Sequence, residues 1–317
     1  MTEPLMRRLS ARGERLTVGA LPWVAPVYRA MAQVAEVIEF PFQRSGLQLK
    51  ARRALAQRLQ GQFDTAYVCP NSLKSALLPF LASIPKRVGY LGEARIGLLT
   101  HRLKNPGKDT RPPMVAFYSA LSGETGIDSD RPRLQVDRAQ VAQDLALLGL
   151  TPQRYCVFAP GAEYGPAKRW PAAHFAALAG QLDLPVVLLG SSKEAALCDS
   201  IAAAAPERCH NLAGKTTLAQ ALSLLSASKS VVSNDSGLMH VAAAFGVPQV
   251  AIFGSSSPLH TPPLSEHAVV VWLKSDPTYQ PALDCAPCFQ RECPLGHTRC
   301  LNDVRPQTVR DAVIAAG

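Results

Sequence analysis

Asn234, Asp235, Ser236, Gly237 and His240 form the densest run of chemically capable side chains in the chain. An apolar stretch with Val231 and Val232 leads through Ser233 into this polar turn, which opens directly into small apolar residues, Val241 to Phe245. Gly246-Val247-Pro248 then leads to a second apolar stretch, Val250 to Gly254. The pattern predicts a β-α-β unit whose polar residues lie at the C-terminal end of a strand and the N-terminus of a helix. Ligands of open α/β sheets bind there. Free N–H groups and the positive end of the helix dipole favour a phosphate. Gly237 lets a ligand approach the backbone, and Ala242, Ala243 and Ala244 let the helix pack close to a sheet. Ser236 and His240 share one helix face. Read alone, the turn is equally a plain N-cap, with Asp235 or Ser236 capping and His240 on the surface.

A second junction strengthens the ligand reading. The loop from Ala159 to Pro171 follows the apolar stretch Tyr155–Phe158 and precedes a helix opened by Pro171. It contains Gly161, Ala162, Glu163, Gly165 and the adjacent cations Lys168 and Arg169. Lys168 as a point charge and Arg169 as a fork suit a pyrophosphate; the plain alternative is a solvated basic loop. Two glycine-bearing strand–helix junctions, one cationic and one built on a helix dipole, point to a nucleoside-diphosphate site.

Eight cysteines occur. Cys69, Cys156, Cys198 and Cys209 are scattered and read as small buried hydrophobes. Cys285, Cys288, Cys293 and Cys300 are clustered, with His297 between the last two. The first residues carry charges and no apolar core of a secretory signal, which disfavours disulfides. Thiols grouped with a histidine fit a structural tetrahedral zinc site, or an iron–sulfur site, although the spacing matches no common zinc module. An ordered loop of free thiols is the alternative.

The elements that must position these residues follow from periodicity. Apolar strands alternate with helices from residue 155 onward, which means a parallel sheet. At 317 residues the chain is long enough for two α/β domains, expected at 1–150 and 151–317, with a linker near 123–133 and residues 101–113 read as a polar loop. The first half holds 21 Lys and Arg against 12 Asp and Glu; the second holds 12 of each. The whole net charge of +9 therefore sits in the first half. A basic domain beside a neutral one suits an acidic, membrane-borne partner. The stretch Leu47–Gln60 reads as a basic amphipathic helix carrying Arg52, Arg53 and Arg58. Nothing has the form of a nucleic-acid module, so no nucleic-acid partner is expected.

The segments PGAEYGPAKRWP, NLAGKTTL and NDSGLMHVAAAFGVPQVAIFGSSSP, with PNSLKSALLPFLASIPKRVGY in the first half and CAPCFQRECPLGHTRCL near the end, resemble the ADP-heptose:lipopolysaccharide heptosyltransferases over nearly the whole chain. The resemblance implies a GT-B architecture of two Rossmann-like domains facing a cleft, with donor nucleotide on the C-terminal domain and acceptor on the N-terminal one. It implies an inverting transfer of heptose from ADP-heptose to the first heptose of a lipopolysaccharide inner-core precursor, on the cytoplasmic face of an anionic inner membrane. Expected donor residues are Gly161, Ala162, Glu163, Lys168, Arg169, Ser191, Ser192, Asn234, Asp235, Ser236, Gly237 and His240. Lys168, the Ser236-Gly237 amides and Arg169 would serve the diphosphate. Asp235 would cap the helix and meet sugar hydroxyls, and Ser191 and Ser192 would meet ribose or adenine. Acceptor candidates are Asn71, Lys74, Lys86, Arg87 and Arg95. No metal is expected in the chemistry. The family's leading strand and glycine-rich loop, ending in the aspartate proposed as general base, would precede Met1, so no catalytic base is assigned within the chain. Another GT-B nucleotide-sugar enzyme, such as a different glycosyltransferase or an epimerase, and a donor-binding protein without activity are the competing readings.

Overall fold

The computed structural model describes residues 1–43, 46–107, 112–124 and 131–317. The chain divides into two compact units, Met1–Asp130 and Arg131–Gly317.

The first unit runs α1 (Glu3–Ala11), β1 (Leu16–Ala20), α2 (Ala25–Arg29), β2 (Val34–Glu39), α3 (Leu49–Leu59), β3 (Thr65–Val68), α4 (Leu73–Leu81), β4 (Lys86–Tyr90), β5 (His101–Leu103) and α5 (Met114–Ser119). β1 pairs in parallel with β2, and β3, β4 and β5 form a separate parallel sheet in that order. α1 buries Leu5, Met6 and Leu9 on one stripe, while Arg8 and Arg12 ion-pair with Glu124. α3 turns Leu55, Ala56 and Leu59 onto Phe42, Leu78, Ala82 and Ile84. Its basic face is smaller than expected, because Arg52 points inward. Arg52 is 6% exposed, donates to the Leu47 and Lys74 carbonyl oxygens at 2.7 and 3.0 Å, and stacks over Phe42.

The second unit runs α6 (Arg138–Leu147), β6 (Cys156–Ala159), α7 (Ala172–Gly180), β7 (Val186–Leu188), α8 (Ala195–Ala204), β8 (Cys209–Asn211), α9 (Leu218–Ser226), β9 (Ser230–Asn234), α10 (Gly237–Phe245), β10 (Gln249–Ile252), β11 (Ala268–Val271), α11 (Arg299–Asn302) and α12 (Pro306–Ala316). The six strands are all parallel, in the order β11-β10-β9-β6-β7-β8. Counted from the unit's own first strand this is 3-2-1-4-5-6, the order of dinucleotide-binding folds. Every residue of β6, β9 and β10 is buried, as a sheet covered on both faces requires. The alternation of strands and helices thus gives the expected α/β class, with parallel sheets in both units.

Three expectations change. The division lies at 130/131 rather than 150, because α6 belongs to the second unit. There the Ser223 hydroxyl donates to Asp144 at 2.6 Å, and the Leu134 N–H donates to the Ala244 carbonyl at 3.0 Å. The linker expected at 123–133 falls mostly outside the described residues. The loop expected at 101–113 begins with β5, and β8 was not anticipated at all. Among the described residues, no helix is long and apolar enough to cross a membrane.

Candidate functional site

The order in which successive strands are added to the second sheet reverses between β6 and β9. The loops leaving these two strands therefore diverge and open a crevice at the carboxyl edge. Asn234 joins the loops. Its amide donates to the Pro160 carbonyl at 2.7 Å and accepts from the Trp170 N–H at 3.0 Å. Asn234 is fully buried with its amide oxygen and nitrogen both used, so it ties the two loops together and is not the ligand contact expected of it. Trp170, also fully buried, anchors the far end of the loop through its indole N–H to the Val304 carbonyl at 2.9 Å.

Lys168 Nζ lies 2.5 Å from Asp235 Oδ2, with side-chain exposures of 17% and 5%. Thr261, 26 residues further on, donates to the other Asp235 oxygen at 3.3 Å. Asp235 is thus the counter-ion of Lys168, not the cap of α10. The N-cap is Ser236, in extended conformation, and its hydroxyl makes no cap bond. Ser236 Oγ is buried without a hydrogen-bond partner, as is Ser233 Oγ beneath it on β9. The first-turn amides of α10 have no intrahelical acceptor. Through Asp235 the Lys168 ammonium is held one residue from Ser236, the N-cap of α10, and an ammonium beside a helix N-terminus suits an anion. His240, one turn into α10, is close enough to feel both charges. Burial lowers its imidazole from 6.5 to about 4; Lys168 pushes the same way and Asp235 opposes.

The other donor candidates divide. Arg169 folds back, donating to the Ala162 carbonyl at 3.2 Å, so it shapes its own loop instead of reaching into the crevice. Ala162 is buried and Glu163 exposed. A Cβ at Gly161 would run into the carboxylate of Glu194, so that glycine admits a neighbouring side chain. Glu194 accepts from the Ser191 N–H at 2.7 Å and the Ser191 hydroxyl at 3.0 Å. Ser191 is therefore occupied in a turn; Ser192 beside it is exposed at the end of β7. Sequence reasoning missed Glu194, Thr261 and Tyr164. Tyr164 donates to the Phe289 carbonyl at 2.8 Å, and Lys168 Nζ sits 5.2 Å from its ring centre.

The acceptor candidates lie in the first unit. Arg95 is fully buried. It donates to the carbonyls of Tyr90 and Pro70 and to Asn71 Oδ1 at 2.9 Å, so it organises the loop around Asn71 and is excluded as a surface contact. Asn71 also donates to Asn105 Oδ1 at 3.4 Å. Arg87 gives its guanidinium to the Leu98 and Ile84 carbonyls and lies 5.6 Å from the Phe80 ring centre. Lys86 is exposed and Lys74 half-buried.

Cys285, Cys288, Cys293, His297 and Cys300 line one small cavity of the second unit. As they stand, no three or more His, Cys, Asp or Glu side chains among the described residues form a group that holds a metal ion.

A crevice at the reversal point of a six-stranded parallel sheet, with a buried Lys–Asp pair at a helix N-terminus, is a nucleotide-binding arrangement open to many chemistries. Comparison with known proteins narrows it. Residues 52–299 match glycosyltransferase family 9 (heptosyltransferase). The chain is 43% identical over 293 residues to lipopolysaccharide heptosyltransferase 2 of Escherichia coli K12, covering 86% of this chain and 84% of that one. It is 42% identical over 279 residues to lipooligosaccharide heptosyltransferase 2 of Haemophilus influenzae, covering 81% and 80%. The solved structure of E. coli ADP-heptose LPS heptosyltransferase II superposes with a TM-score of 0.84 at 38% identity, covering 99% of this chain and 93% of that one. An E. coli heptosyltransferase solved with ADP shares the fold, with a TM-score of 0.69 at 19% identity, covering 100% and 95%. The loop carrying Lys168, the turn carrying Asp235 and the cysteine-lined segment up to Arg299 all fall inside the matched residues, so the chain belongs to glycosyltransferase family 9, the heptosyltransferases.

Proposed function

We propose that this glycosyltransferase moves L-glycero-D-manno-heptose from ADP-heptose to the first heptose of a lipopolysaccharide inner-core precursor, with inversion. In this reading the acceptor oxygen forms a bond to the anomeric carbon. The bond from that carbon to the diphosphate oxygen breaks, the hydroxyl proton passes to a general base, and ADP leaves. The observation that carries the donor half is the Lys168 ammonium held through Asp235 beside the N-terminus of α10. Charge growing on the departing diphosphate meets a desolvated ammonium and oriented N–H groups, where such contacts are worth most. With these groups neutralising the diphosphate, the donor needs no metal. Asp235, already paired to Lys168, keeps that lysine aimed and is not the acceptor's base. Ser192 and the Glu194 turn stand at the end of β7, where a dinucleotide fold meets the ribose.

The first unit would present the acceptor. With the division at 130/131 it still carries +8, against +1 on the second. That asymmetry supports an anionic acceptor at the inner face of the inner membrane, approached from the cytoplasm. Incubation of the purified protein with ADP-heptose and a core lipopolysaccharide bearing one heptose tests the reading by mass spectrometry. One added heptose and an equivalent of ADP are expected. An unchanged acceptor, while a known family member converts it in the same mixture, would remove the assignment. Transfer from a uridine-diphosphate sugar instead would move the enzyme to another donor class.

A further inference from the structure

The Lys168–Asp235 pair has a third member. Lys168 belongs to the loop after β6, and Asp235 to the turn between β9 and α10. The loop is braced from the far side of the unit's sequence. The Ala167 N–H donates to the Arg291 carbonyl at 3.1 Å, and the Tyr164 hydroxyl donates to the Phe289 carbonyl at 2.8 Å. The backbone beside Lys168 is thereby fixed, but its ammonium stands at the end of a flexible four-carbon stem. A contact at the Nζ end must place it, and Asp235 Oδ2 supplies one at 2.5 Å. The carboxylate turns about its own side-chain bonds as well, so it aims Lys168 best when its second oxygen is also held.

Thr261, half-buried in the segment after β10, holds that oxygen. Its hydroxyl lies 3.3 Å from Asp235 Oδ1 and 3.4 Å from the Ser257 carbonyl oxygen, so one proton faces two acceptors. The Ser257 carbonyl already accepts from the His260 N–H at 3.1 Å and the Thr261 N–H at 3.2 Å, which uses both its lone pairs. The carboxylate oxygen is the charged acceptor and makes the stronger bond. The proton therefore goes to Asp235. The two N–H bonds to Ser257 also close the turn that seats the hydroxyl, without help from Asp235.

We propose that Thr261 is a positioning residue for Lys168: its hydroxyl holds Asp235 while the ammonium turns from the carboxylate toward the diphosphate of a nucleotide. The inference rests on the reading of Lys168 as the diphosphate's cation. At 3.3 Å the Thr261–Asp235 bond is longer than the usual hydroxyl bond of about 2.8 Å, so Asp235 leans on Lys168 before the nucleotide arrives. As Lys168 turns away, the hydroxyl takes up part of what the carboxylate loses. Without it, Asp235 competes harder for the ammonium and is oriented at one oxygen instead of two. Both effects weaken nucleotide binding.

Calorimetry with ADP alone tests this and needs no sugar transfer. Thr261→Val keeps the shape, removes the donor and should weaken ADP binding about 3- to 10-fold, the scale of one hydrogen bond. Thr261→Ser restores the donor and should bind within about twofold of the native protein. The decisive readout is the pair of changes together. If Thr261 acts through Lys168, Thr261→Val should cost less than about 1.5-fold once Lys168→Ala is in place, because contacting residues are not additive. A merely structural role gives the same loss in both backgrounds. Thr261→Ala, which brings no methyl group against Asp235, should repeat the pattern. Native affinity in Thr261→Val and Thr261→Ala, a loss shared by Thr261→Ser, or a loss undiminished beside Lys168→Ala overturns the proposal alone. Native affinity in Lys168→Ala overturns the reading of Lys168 itself, and the proposal with it.

Discussion

Lys168 carries one anion already, and this shapes what its removal does. In the proposed donor site, Lys168→Ala would delete a charge-assisted contact to the diphosphate, typically about 1.5–3 kcal/mol, so ADP affinity should fall roughly 10- to 100-fold by calorimetry. It also leaves Asp235, 5% exposed, without its counter-ion and with Thr261 as its side-chain hydrogen-bond donor among the described residues, so the melting temperature should fall too. Lys168→Ala combined with Asp235→Asn separates the effects. The double variant should regain stability and still bind ADP weakly. Regained affinity would mean that Lys168 serves only Asp235. His240 supplies a pH test at the same spot. Its imidazole is lowered from 6.5 to about 4 by burial, so the neutral ring is what the fold prefers. The stability this contributes is fully present above pH 6.5 and is lost as pH falls toward about 4. An NMR titration should show the ring neutral at pH 6. ADP should raise the value by placing negative charge nearby, so ADP binding should tighten toward acid more in the native protein than in His240→Gln. Equal pH slopes would place His240 away from the diphosphate. At this scale the sequence shows where polar residues gather better than what each of them touches. Lys168 meets Asp235, and Ser236 follows it at the N-terminus of α10. Asn234, Arg169, Arg95 and Arg52 instead spend their polar atoms on neighbouring backbone or side chains. That use depends on burial and on partners distant in sequence, which no local pattern encodes.

Elements were legible where an apolar run is long. β6, β9, β10 and α10 all lie where their apolar runs begin and end, because a strand buried on both faces and an alanine-faced helix leave plain signatures. β5 and β8 are three residues long, His101-Arg102-Leu103 and Cys209-His210-Asn211, and sit at sheet edges, so most of their residues face away from any core. The helix α6 belongs to the second unit although a division at 150 puts its residues in the first, because its tie to α9 through Asp144 and Ser223 has no sequence mark. Gly165 gives the element-scale prediction. A Cβ there would run into the Arg291 carbonyl oxygen, a backbone atom that cannot rotate away. Gly165→Ala should therefore push the Lys168 loop off its brace and break the Ala167–Arg291 hydrogen bond. ADP affinity should drop at least about tenfold, on the order of one hydrogen-bonded charge contact. The melting temperature should change by a few degrees at most, since the sheet beneath is untouched. A large loss of melting temperature with affinity preserved would show that the loop supports the fold and not the ligand.

On the scale of the whole molecule, charge is divided more sharply than any fold rule demands. The first unit carries +8 in 130 residues and the second +1 in 187. Burial removes Arg52 and Arg95 from the outward-facing set, and Arg8 and Arg12 are paired with Glu124. Lys50, Arg53, Arg58 and Lys86 remain on the exposed surface. Trp23, Leu47 and Ile96 of the same unit are exposed apolar groups, at 53%, 44% and 59%. A cationic surface with scattered large apolar side chains is suited to an anionic bilayer, each cation near it contributing about 1 kcal/mol. The first unit should accordingly drive binding to vesicles containing anionic lipid and leave neutral vesicles largely unbound. Binding should weaken steeply with salt, because exposed charges are screened over about 8 Å at physiological ionic strength. Reversing Lys50, Arg53 and Arg58 to Glu should reduce it further without lowering the melting temperature, since none of these three is buried. The same reversal at Arg52 would instead break two hydrogen bonds to backbone and an aromatic stack, so it cannot serve as a surface probe. Binding indifferent to salt and to the triple reversal would shift the contact to the apolar residues. Binding equal on neutral and anionic vesicles would remove charge as the basis of any vesicle binding.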